Sequence, residues 1–94
     1  MGSKNSKNKR YTYLNNDYYR GPLKNGLPNG KGIRYYPNGN IRYEGDFVVG
    51  KAKGQGKYTW ENGNYYIGQW LNDKKHGKGK KYEKGRLWKK ITRT

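Results

Sequence analysis

The chain has 94 residues, 30% of them hydrophobic and 16% aromatic, and 22 Lys and Arg against 6 Asp and Glu give a formal net charge of +16. That length allows a single domain, and an apolar share well below the roughly 45–50% of ordinary globular domains is too small for a thick two-layer core. The absence of cysteine excludes disulfides and thiolate metal sites, no apolar run approaches the roughly 20 residues that span a bilayer, and a balance this basic selects an acidic partner, whether anionic phospholipid membrane, acidic protein or nucleic acid.

Residues 1–14 read as a basic, flexible N-terminal tail without a secretory leader. Met1-Gly2-Ser3-Lys4-Asn5-Ser6 satisfies the acceptor pattern for N-myristoylation at Gly2. One acyl chain anchors only marginally, and Lys4, Lys7, Lys9 and Arg10 supply the polybasic second signal such anchors use. Tyr11 to Leu14 fit a short lead-in strand, with Asn15-Asn16 as its turn.

From residue 15 to 94 the chain is one domain of repeats. Gly21, Gly45 and Gly68 each head a unit and are followed nine residues later by a Gly-x-Gly: Gly30/Gly32, Gly54/Gly56 and Gly77/Gly79. An aromatic stands two residues before each head glycine (Tyr19, Tyr43, Tyr66), and Leu23, Phe47 or Trp70 two residues after it. The units run about 19–42, 43–65 and 66–88. Within them period-2 alternation predicts strands. Tyr43, Gly45 and Phe47 share one face, and Gly56, Tyr58 and Trp60 do the same on the return. Pro37-Asn38-Gly39, Asn62-Gly63 and Lys84-Gly85 are hairpin turns between units, because both central positions of a tight hairpin must accept positive φ. The inner connections run Asn25 to Gly30, Gly50 to Gly54 and Asp73 to Gly77. No helical period appears before residue 86. The fold class is therefore all-β, an elongated single-layer antiparallel β-meander. Trp60 and Trp70 are expected on one face, packed over strand glycines such as Gly45, Gly56 or Gly68.

The pattern Tyr-x-Gly-x-(Phe/Trp)-x-x-Gly-x-x-x-Gly-x-Gly, closing on Asn-Gly, resembles the MORN repeat. YEGDFVVGKAKGQGKYTWENG (43–63) matches best, YIGQWLNDKKHGKGKKYEKG (66–85) follows, and YRGPLKNGLPNGKGIRYYPNG (19–39) is more degenerate at Pro22 and Leu23. The resemblance covers about four-fifths of the chain. It implies a twisted single-layer sheet of about three hairpin repeats and a role as a scaffold, a dimerisation module or a phospholipid-binding module. The leader in turn resembles the myristoylated polybasic leaders of Src-type kinases.

Two groups of side chains are candidate sites. Residues 74–93 hold ten Lys and Arg against one acid, and Lys74, Lys75, Lys78, Lys80, Lys81, Lys84, Lys89 and Lys90 suit lipid head groups or nucleic-acid phosphates without sequence readout. Tyr82 and Trp88, interleaved among them, suit base stacking or an interfacial anchor. Tyr43, Phe47, Tyr58, Trp60, Tyr66 and Trp70 form an aromatic face that is either core or a protein-binding surface. Catalysis finds little support. His76 is the sole histidine and lies in an inner turn, and Glu44 and Asp46 are better explained as partners for lysines on the next strand. The sequence thus describes a non-enzymatic scaffold or adaptor without cofactor or metal, cytoplasmic and peripheral at a membrane, with a protein partner or a second copy paired through the sheet edge. The alternative is a basic nucleic-acid-associated protein such as a small ribonucleoprotein subunit.

Overall fold

A computed structural model describes residues 9–83 and 89–93, with side chains over 10–83. Eight strands form one antiparallel sheet in the order β1-β2-β5-β6-β7-β8-β9-β10. They are β1 (Lys9–Thr12), β2 (Tyr18–Gly21), β5 (Gly30–Tyr35), β6 (Ile41–Val48), β7 (Lys51–Thr59), β8 (Tyr65–Leu71), β9 (Lys74–Glu83) and β10 (Lys89–Arg93). Between β2 and β5 the chain makes a small ribbon of its own, β3 (Leu23–Lys24) with β4 (Leu27–Pro28). No helix occurs among the described residues. The molecule measures 50 × 27 × 20 Å, elongated as a meander of hairpins must be.

Register explains the glycine spacing. Gly32 pairs with Gly45, Gly45 with Gly56, Gly56 with Gly68, and Gly68 with Gly79, so one row of bare backbone crosses five strands. Tyrosines lie over that row. A Cβ on Gly56 would collide with the Tyr43 ring, and one on Gly79 with Tyr66. This corrects the expected role of the tryptophans. Trp60 and Trp70 do share the aromatic face, but the rings covering the glycines are the tyrosines two residues ahead of each head glycine. Trp70 packs beside them, and its Nε1 donates to the Gly56 carbonyl at 3.2 Å.

Buried Tyr19, Tyr43, Phe47, Ala52, Tyr66 and Trp70 form the core on this inner face, with Tyr11, Tyr13, Leu23, Tyr58 and Trp60 packed against them. The rings meet edge to face along the sheet: Tyr19–Phe47 at 4.9 Å, Tyr43–Phe47 at 5.1 Å, Tyr43–Trp70 at 5.4 Å and Tyr66–Trp70 at 5.6 Å. Such pairs contribute about 0.5–1.5 kcal/mol each beyond their buried area. Among the described residues the sheet has no second layer, and this strip holds it.

The expected tail boundary shifts. Strand pairing begins at Lys9, with Lys9 opposite Gly21 and Thr12 opposite Tyr18, so Lys9 and Arg10 belong to the sheet and not to a free tail. The lead-in strand also ends at Thr12, two residues before the expected Leu14. The cause is the turn. Asn16 takes φ 75°, Tyr13 donates its amide to the Asp17 carbonyl at 2.8 Å, and Asn15 Oδ1 accepts the Asp17 amide at 2.9 Å. Leu14 is left fully exposed at the tip.

Candidate functional site

The hairpin β8–β9 places lysines beside the aromatic strip. Lys75 stands opposite Trp70 and Lys81 opposite Tyr66, hence both on the inner face. Lys75 Nζ lies 5.2 Å from the Trp60 ring centre and 5.3 Å from that of Tyr66, and Lys81 Nζ lies 4.8 Å from Trp60. An ammonium at that range is held by the ring quadrupole. Of these, Trp60 and Lys75, with Tyr58, Trp70, Asp73 and Lys74, border a groove of about 450 Å³. The groove is open, aromatic-walled and basic at its rim, which suits an anionic group attached to something apolar.

The predicted aromatic face divides by depth. Tyr43, Phe47, Tyr66 and Trp70 are buried and serve as core, whereas Tyr58 and Trp60 remain half-exposed and offer surface. The predicted basic cluster divides by face. Lys74 and Lys75 line the groove and Lys81 stands over Trp60 on the same face, but Lys80 pairs with Ile67 on the outer face, and Lys78 falls in the register shift of β9. Arg10 is on β1, with five strands between it and β9, and its guanidinium lies 4.2 Å from the Tyr18 ring centre. Lys9 lies on β1 and Lys89 and Lys90 on β10, and of these three residues the backbone alone is described. Gly2, Lys4, Lys7, Lys84 and Trp88 lie outside the described residues. His76 is exposed opposite Gln69.

Asp46 is a cross-strand partner as the sequence suggested. Lys31 Nζ donates to its Oδ1 at 2.6 Å, and the Gln55 amide to its Oδ2 at 3.1 Å. The lysine hydrogen bond holds its carboxyl below the ordinary value.

One cluster escapes sequence reading. Asp17, 1% exposed, accepts Arg34 Nε on Oδ2 at 2.8 Å, and Arg42 Nε approaches the same oxygen at 2.9 Å without hydrogen-bond geometry. Arg34 stacks 3.7 Å from the Tyr13 ring centre, and Arg42 Nη1 donates to Tyr58 Oη at 3.0 Å. Together with Tyr43, Phe47, Ala52, Trp70 and Asp73 the two arginines line a second hollow of about 270 Å³. The signal was positional: Arg34 follows its Gly-x-Gly where the other units carry Tyr58 and Lys81. Burial pushes the Tyr13 phenol up to about 12, against the opposing pull of Arg34, and raises the phenols of Tyr36 and Tyr43 as well.

Comparison with known proteins agrees with this geometry. The MORN repeat profile matches residues 19–41, 43–65 and 66–85. The chain is 42% identical over 72 residues to MORN repeat-containing protein 3 of Xenopus laevis, covering 70% of this chain and 30% of that protein. It is 39% identical over 75 residues to the inactive protein tyrosine kinase pTKL of Plasmodium berghei (strain Anka), covering 78% of this chain and 6% of the kinase. It therefore spans less than a third of either relative. Proteins of this family are generally non-enzymatic. Three matched units, each a glycine-headed hairpin under a covering tyrosine, place the chain in the MORN-repeat family.

Proposed function

We propose that this chain is a non-enzymatic repeat scaffold that works at an anionic surface, holding a protein partner while its lysines engage acidic phospholipid. The observation that carries this reading is the meeting of Lys74 and Lys75 with Tyr58, Trp60 and Trp70 around one open groove. Lysine point charges suit phosphate without sequence readout, and half-buried rings beside them suit the apolar layer beneath head groups. An N-myristoyl group on Gly2 would add a second anchor, and its expected place is the cytoplasmic leaflet, peripheral to the bilayer.

The nucleic-acid reading is weaker on one point. Single-stranded binding needs aromatic faces open to bases, whereas Tyr82 is stacked on Tyr65 with ring centres 4.9 Å apart, and Tyr18 on Tyr35 at the same distance. Vesicle pelleting beside RNA filter binding, at matched salt, separates the two. The scaffold reading expects phosphatidylserine vesicles to retain the protein and a Lys74/Lys75/Lys78/Lys80/Lys81→Gln variant to release it. Tighter binding to RNA than to vesicles would put the ribonucleoprotein alternative ahead.

A further inference from the structure

Three hairpin tips are laced together at one end of the sheet. Gly50 donates its amide to the Pro28 carbonyl at 2.8 Å, and Val49 its amide to Asn29 Oδ1 at 2.9 Å, tying the β6–β7 tip to the β3–β4 ribbon. Asp73 donates its amide to the Ala52 carbonyl at 3.0 Å and accepts the Ala52 amide on Oδ1 at 2.8 Å, tying the same tip to β8–β9. All three turns open with a non-glycine residue at positive φ: Asn25 at 53°, Val49 at 48° and Asn72 at 50°. Asparagine tolerates that region. A β-branched residue there is a genuine outlier.

The turn itself requires this left-handed backbone, as Asn25 and Asn72 show at the equivalent positions. Val49, however, is 62% exposed, so burial does not account for a valine there, and Val48 beside it and Leu71 on the neighbouring tip are exposed as well. Lys51 pairs with Val48 and Lys74 with Leu71, Lys24 is exposed on the tied ribbon, and Asp46 and Asp73 are the acids nearest in the chain. An exposed β-branched residue kept at a left-handed position where the equivalent turns carry asparagine calls for a reason outside the fold, and apolar tips with lysines beside them have the polarity of an interfacial anchor.

We infer that this end of the molecule is a membrane-insertion tip. Val48, Val49 and Leu71 enter the head-group and upper acyl layer of an anionic bilayer, while Lys24, Lys51 and Lys74 meet lipid phosphates. This rests on the anionic-surface reading above and adds which end of the molecule makes the contact, and by what chemistry. The lysines favour a bilayer over an apolar protein patch as the occupant, because each cation near an acidic leaflet strengthens the contact.

The chain has no cysteine, so Val49→Cys and, at the opposite end of the sheet, Asn38→Cys each take a single environment-sensitive nitrobenzoxadiazole label. With 3:1 phosphatidylcholine:phosphatidylserine vesicles the label at 49 should brighten and shift to the blue, and the label at 38 should not. In unlabelled protein Val49→Asn should raise the melting temperature, because it relieves the turn, yet weaken vesicle binding about tenfold through loss of a buried aliphatic side chain. A purely structural role cannot move these two readouts in opposite directions. Pelleting without brightening at 49, brightening at 38 alone or at both sites, equal brightening with pure phosphatidylcholine, or unchanged binding by Val49→Asn overturns the insertion tip while the lysine-surface reading survives. Failure of the wild type to pellet at all sinks both.

Discussion

Trp70 is the ring that joins the units. It touches Tyr43, Tyr58 and Tyr66, donates to the Gly56 carbonyl, and is 7% exposed. Trp70→Ala should cost about 3–5 kcal/mol, a large fraction of what holds a domain this small. An unchanged urea midpoint would show the ring to be a surface contact. The buried tyrosines make a pH prediction. Tyr13, Tyr36 and Tyr43 have folded-state pKa values raised above the ordinary 10, chiefly by burial. The folded chain therefore holds their protons more tightly than the unfolded one. Their stabilisation is complete below pH 10 and is lost as pH climbs through the raised values, which for Tyr13 means up to about 12. Unfolding free energy measured by urea should fall between pH 9 and 11.5, and Tyr43→Phe should fall less steeply. Parallel pH curves for the two proteins would refute it. Tyr43 and Trp70 were legible in the sequence, since period 2 and the head glycines fixed their face, whereas Tyr13 and Tyr36 precede turns outside that pattern. The Asp17–Arg34–Arg42 cluster was not, because alternation says which face a charged side chain takes but not which partner the twist of the sheet brings to it.

Strand pairing shows the same division between what pattern carries and what it omits. The order β5 to β9 follows from spacing, but the expected Asn-Gly turns differ in detail. Tyr36 donates its amide to the Asn40 carbonyl across three residues, with Gly39 and not Asn38 at positive φ, and the two-residue turns are the inner ones at Asn25-Gly26, Val49-Gly50 and Asn72-Asp73. The small β3–β4 ribbon and the pairing of Lys9 to Thr12 do not follow from spacing, for these segments are short, and the pattern of the first fails at Pro22 and Leu23. Asp73 shows how a turn can depart from glycine and be compensated. It sits at φ 69° where the corresponding turns have Gly26 and Gly50, and its carboxylate accepts the Ala52 amide from the neighbouring hairpin. Asp73→Ala loses both the tolerance of positive φ and the acceptor, and should cost about 2 kcal/mol. Asp73→Asn keeps both and should stay within about 0.5 kcal/mol of wild type. Equal losses in the two variants would mean that charge, and not turn geometry, is what the site requires.

Among the described residues the sheet ends in β1 and β10, strands whose outer edges could pair with a second copy, and the charge of the chain opposes such pairing. β1 carries Lys9 and Arg10, and β10 carries Lys89, Lys90 and Arg93, so an edge-to-edge dimer would set basic strands about 4.8 Å apart. At 0.01 M salt the screening length is about 30 Å and the repulsion acts in full, whereas at 1 M it is about 3 Å and falls below the strand spacing. The net charge of +16 adds a uniform repulsion with the same salt dependence. The proposed attraction to an acidic leaflet runs the other way, since salt weakens it. The two associations should therefore respond oppositely. Sedimentation velocity should find a monomer at low salt, with any dimer appearing only as salt rises, over the range in which vesicle pelleting declines. A stable dimer at 0.01 M salt would mean that the copies meet through a surface other than these basic edges, and the half-exposed Tyr58–Trp60 rim of the inner face would be the place to look.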